Sequence, residues 1–185
     1  MSMATMVLFA QEVLDTTPTE FALLETGGAI GGAIGGWTAS RIAQRIGSGP
    51  SLWLTLLGGG ATTFLIGFAT NWIFVWAMFA IFMLLAVLWN VITVSLRQAI
   101  IPDELLGRVN SVYRFFAWGM MPIGALLGGI TVAVVDLFAS RELALRATWV
   151  VSGVIGIGLF VAGRALLSTE KLEAARAAAA PATSG

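Results

Sequence analysis

A chain of 185 residues that is 58% hydrophobic and only 11% charged is not composed as a soluble domain, in which charged residues make up about 25%. Its mean hydropathy is +0.91 and no charged side chain occurs from Ile46 to Leu96, more apolar surface than a soluble fold of this size can hide. Without His or Cys, and with zero net charge, the chain excludes disulfides, thiolate or imidazole catalysis, His/Cys metal sites and a nucleic-acid partner, which would need a basic face.

The composition is that of an all-α polytopic membrane protein whose first partner is the lipid bilayer. A spanning helix needs about 20 apolar residues, and that ruler predicts five full transmembrane helices plus a partial first one. Residues 1–14 are apolar and helical in pattern but reach only about 21 Å at about 1.5 Å per residue, short of a core of about 30 Å. They are expected to be the end of a spanning helix whose beginning lies upstream; an interfacial or re-entrant helix is the alternative. They lack the basic region and cleavage site of a signal peptide. Asp15 to Pro18 then breaks the helix, and Thr17 or Thr19 can cap the next one.

The full spans are expected over 21–42, 52–69, 72–96, 109–135 and 147–167, with Asn71 marking a short turn. In the first of them Gly27, Gly31 and Gly35 form one row and Gly28, Gly32 and Gly36 the row beside it. This face lets another helix approach backbone to backbone; a phosphate loop is excluded because no Gly-Lys-Ser/Thr follows. Glu25 lies about one turn inside the same span, and an ionisable group there is a candidate proton carrier. At the end of the span come Gly36, Ser40, Arg41, Arg45 and Gly47, with Arg41 and Arg45 one turn apart on one face.

The third span is rich in aromatics and carries Asn90, a candidate cargo contact or interhelical hydrogen bond. Its end and the turn after it hold Arg97, Pro102, Asp103, Gly107, Arg108 and Arg114. Pro102 is expected to stop the span, Asp103 to open a short interfacial helix, and Gly107 to end it. In the fourth span Pro122, between Gly119 and Gly124, permits a kink. Residues 168–185 read as a disordered cytoplasmic tail.

Arg41, Arg45, Arg97, Arg108, Arg114, Arg164, Lys171 and Arg176 fall on one side if the helices alternate. Only Arg141 and Arg146 fall on the other, beside Asp15, Glu20, Asp136 and Glu142. The positive-inside bias predicts a multi-pass plasma-membrane protein with a cytoplasmic C-terminus.

The Gly36–Gly47 pattern resembles the loop that the major facilitator superfamily repeats after its second and eighth helices, with Ser40 where that family usually has an acid. The series Trp89-Asn90-Val91, Arg97-Gln98, Pro102 to Val109, Ser111 to Arg114 and Trp118 to Gly129 is similar to the tenth helix, turn and eleventh helix of that family's exporter branch, which includes siderophore exporters and macrolide-efflux-type proteins. The resemblance implies the C-terminal six-helix half of a secondary transporter, a proton-coupled exporter of a small amphipathic cargo, truncated in helix seven. It implies as partner the N-terminal half or a second copy, without which the chain is not expected to transport. The alternative is a small membrane scaffold that assembles through its glycine-rich helix. No cofactor, metal site or catalytic residue is expected, and the chain is not read as an enzyme.

Overall fold

The computed structural model describes residues 1–163, and the expected tail, with Arg164, Lys171 and Arg176, lies outside the described residues. The described chain is all-helical. A 3-10 turn, Ser2–Thr5, leads into α1 (Met6–Glu12), followed by α2 (Pro18–Ile46), α3 (Ser48–Ile66), α4 (Trp72–Ile100), α5 (Asp103–Asp136) and α6 (Arg141–Gly163).

Among the described residues, the five full spans plus a partial one become six α-helices, of which three (α4, α5 and α6) are long and apolar enough to cross a membrane. At about 1.5 Å per residue they reach about 44, 51 and 35 Å, against a hydrocarbon core of about 30 Å. The α2 helix matches α4 in length, 29 residues each. Its glycines, and the glycines and threonines of α3, lower the hydropathy of these two helices and give them faces for close packing.

The helix ends follow local chemistry. Asp15 takes a left-handed φ of 49°, tolerable for a short polar side chain, and turns the chain out of α1. Thr17 then makes the reciprocal cap of α2: its hydroxyl accepts from Glu20 N at 3.3 Å, and its backbone N–H donates to Glu20 Oε2 at 2.8 Å. Pro18 occupies the first turn, where no N–H is missed. Asn71 caps α4 by accepting from Phe74 N at 2.8 Å. Between α2 and α3 a single residue, Gly47, makes the turn at φ 84°, a conformation that a Cβ strains.

Glu20 lies just outside the first expected span and also ties α2 to α4, its Oε1 accepting from Trp72 Nε1 at 3.1 Å. Hydrogen bonds from the Thr17 backbone and hydroxyl, and then from Trp72, hold its carboxyl below the ordinary value of 4.5. A carboxylate depressed in the fold contributes stability that is present above its unfolded pKa and lost as pH falls through the folded one. Unfolding monitored between pH 7 and pH 3 is expected to show stability falling below about 4.5, and Glu20→Gln is expected to flatten that fall. An unchanged slope would mean the cap is open in solution.

The fourth span departs from expectation. The separate interfacial helix ending at Gly107 does not form; one helix runs from Asp103 to Asp136, through Gly107 and Pro122. Gly107 does not adopt the left-handed conformation that ends helices, and its carbonyl takes the Ser111 hydroxyl at 2.9 Å inside the helix. The connection from α4 shrinks to Ile101 and Pro102.

The two most extensive packings join helices that are not neighbours in sequence. The α2 helix lies chiefly on α4, while α3 lies on α6 and α4, and α5 lies on α6. The N-terminal turn is seated against α5 and α6. The main core gathers Met6, Phe9, Leu24, Phe79, Leu145 and Trp149, with Trp149 5.5 Å from the Phe9 ring and 6.4 Å from Phe79. Thr5 and Thr148, both buried, share a hydrogen bond of 3.0 Å. The N-terminal segment thus packs one face, Met6, Phe9 and Ala10, into the bundle and leaves Met3, Val7 and Leu8 exposed.

Candidate functional site

The glycine face of α2 has a partner inside the chain. A Cβ on Gly27 would stand 2.6 Å from Trp76 O, and one on Gly35 3.0 Å from Leu84 O. One on Gly31 would run into the Ala80 backbone. Three glycines four residues apart thus lie on three carbonyls four residues apart. The second row differs: Gly28 and Gly32 meet Met83 at ordinary contact distance, and Gly36 meets nothing within 4 Å. A similar contact joins α3 to α6, where a Cβ on Gly60 would lie 2.7 Å from Ile157 N and one on Gly153 2.5 Å from the Phe64 backbone.

One end of the bundle gathers its ion pairs. Arg141 Nε lies 3.1 Å from Glu12 and its Nη1 3.8 Å from Asp136, so α6 is tied to α1 and α5. Arg146 pairs with Glu142 at 2.9 Å and donates from Nη1 to Gly67 O and Ala69 O at 3.0 and 2.7 Å. It supplies the cation that the C-terminus of α3 favours, beside a cavity of about 620 Å³.

At the opposite end Arg41, Arg45, Arg108 and Arg114 are exposed, and no salt bridge holds them among the described residues. Arg41 lies over the Trp37 ring at 5.0 Å, and Ser40 is exposed beside it. Arg97 lies 4.1 Å over the Tyr113 ring and donates to Thr93 O at 3.2 Å, bracing α4 against α5. Around Pro122, the α5 glycines Gly119 and Gly129 face open space, whereas Gly124 and Gly128 meet Met1.

Between α3, α4 and α6, with Leu127 of α5 at its edge, lies a cavity of about 520 Å³. This is within the range of about 300–1,000 Å³ typical of small-molecule sites. Its polar groups are Thr55 and Thr63 from α3, Asn90 from α4, Ser152 from α6 and Ser2; Phe82 and Trp89 are its aromatic walls. Asn90 is therefore placed at a cavity. Its interhelical bond does not form, since Nδ2 donates to Ala86 O of its own helix at 3.0 Å.

Glu25 is brought to no cavity; it is exposed on α2, so the two candidate proton and cargo residues do not meet. Three cavity residues, Thr55, Thr63 and Ser152, were not singled out by sequence. A lone hydroxyl in an apolar helix carries no signal until facing helices bring several together. Compared with protein-family models, with curated proteins and with solved structures, the chain matches none.

Proposed function

We propose that this chain is one helical bundle of a secondary transporter of the major facilitator type, an exporter of a small amphipathic molecule. It works with a second bundle, supplied by another polypeptide or a second copy. The observation that carries this reading is the cavity at Asn90: a cluster of neutral polar side chains within an otherwise apolar bundle, of a size to hold a small molecule. The sequence resemblance across helices α4 and α5 supports it.

The charge distribution supports a plasma-membrane orientation with the Arg41 end cytoplasmic. The two arginines that depart from the positive-inside bias are both ion-paired, so the end holding Arg141 and Arg146 presents little free positive charge. Proton coupling is assigned to Glu25, the one acidic side chain inside the spans read from sequence. The scaffold alternative loses support, because the Gly27, Gly31 and Gly35 row that would recruit a partner is occupied by α4.

The test is accumulation of the neutral dye N-phenylnaphthylamine in the native cell with and without the chain. Removing the chain is expected to raise accumulation several-fold. A protonophore is expected to do the same in the intact cell, and Glu25→Gln to mimic removal. Equal accumulation with and without the chain would overturn the transport reading. Efflux that survives Glu25→Gln would overturn the proton assignment alone.

A further inference from the structure

The cavity at Asn90 carries a chemical preference of its own. We propose that it binds an uncharged molecule that brings hydrogen-bond donors on an apolar body: a phenol, an alcohol or a secondary amide. As a statement about cargo this rests on the transporter reading above; as a binding preference it can be measured without transport.

The argument starts from where the polar protons go. Thr55 Oγ1 donates to Leu52 O at 2.8 Å, Thr63 Oγ1 to Gly59 O at 2.8 Å, and Ser152 Oγ to Thr148 O at 2.6 Å. Each hydroxyl spends its only proton on a carbonyl of its own helix and keeps its lone pairs. Asn90 commits one N–H to Ala86 O and keeps its amide oxygen. The walls therefore offer three hydroxyl oxygens and one amide oxygen as acceptors. The second N–H of Asn90, the indole N–H of Trp89 and the hydroxyl of Ser2, a buried residue, stand beside them. The four oxygens whose own protons are spent, or that never had one, are left to be satisfied from outside, and a ligand that supplies donors satisfies them.

The side chains of the lining also disfavour charge. Among the described residues no acidic or basic side chain borders the cavity, so an ionised ligand would give up its hydration for no side-chain counter-charge. The Met1 amine lies at the same lining, and a naphthoate probe tests whether it holds an anion. A further helix is a poor occupant. Of the glycines lining the cavity, Gly60 and Gly156 already touch each other, with a Cβ on Gly156 falling 2.9 Å from Gly60 Cα, and only Gly59 is left with room beside it.

The experiment is equilibrium dialysis of the full chain in nanodiscs, with empty nanodiscs subtracted. It uses three probes of one skeleton: naphthol, its methyl ether methoxynaphthalene, and naphthoate. Naphthol is expected to bind about tenfold more tightly than either of the others, a single good hydrogen bond's worth of discrimination. Asn90→Leu is expected to reduce that preference, and Ala86→Trp, which places an indole in the cavity, to remove saturable binding. The comparison of probes on the unaltered chain stands even where a variant fails to fold.

Binding of the ether as tight as that of naphthol would overturn the proposal and point to lipid chains as the occupant. Tightest binding of naphthoate would overturn it in favour of an anion site. Naphthol selectivity without cellular efflux would sink the transporter reading and leave this preference standing. Efflux without selectivity would do the reverse.

Discussion

Gly31→Leu is expected to destabilise the bundle by about 3 kcal/mol, the upper end of what overpacking costs. The position leaves no slack: a Cβ there meets the carbonyl and Cα of Ala80, and backbone cannot rotate aside as a side chain can. The α2 helix would have to lift from α4 along its length, opening the contacts at Gly27 and Gly35 as well. Gly36→Leu is the control, on the same helix but facing nothing within 4 Å, with an effect expected within about 0.5 kcal/mol. Denaturant unfolding in detergent, followed by tryptophan fluorescence, measures both. Equal stability of the two variants would mean that α2 does not dock on α4 through this row.

Phe9→Ala is expected to cost about 3–5 kcal/mol, the range for removing a buried aromatic ring. Phe9 is fully buried, its ring beside Trp149. Leu8, one residue earlier, is 38% exposed, and Leu8→Ala is expected to change stability by less than about 1 kcal/mol. The contrast isolates docking of the N-terminal segment from its mere apolarity. If both substitutions cost the same small amount, residues 1–12 are not part of the core.

The features legible in the sequence were local ones. Asp15 to Pro18 marked a break and a cap because capping is written within four residues, and Asn71 marked a turn for the same reason. The glycine rows were legible as a packing face, since spacing alone puts them on one side of a helix. Their partner was not, because α4 offers only backbone there, and a carbonyl has no signature in sequence. Arg146 capping α3 from 77 and 79 residues away, and Arg141 reaching Glu12, were likewise invisible, being products of the tertiary fold. The expected stop at Gly107 failed for a different reason. Gly107 keeps a right-handed backbone, and the chain continues into the apolar run that follows.

The match of glycines on α2 to carbonyls on α4 has a mechanical consequence. Both rows repeat every four residues, so the contact behaves as a rack with teeth about 6 Å apart. A slip of one residue in one direction would drive Ile30 and Ile34 toward the α4 backbone, whereas in the other it would seat the second row, Gly28, Gly32 and Gly36. A slip of a full tooth would leave one glycine at the end without a seat. The double row therefore allows two seatings of α2 on α4, and only the row at Gly27, Gly31 and Gly35 is seated in this fold. A step between the two would turn α2 about its own axis while leaving it on α4, with Gly47 and the Asp15 turn as the points where the chain could absorb the rotation.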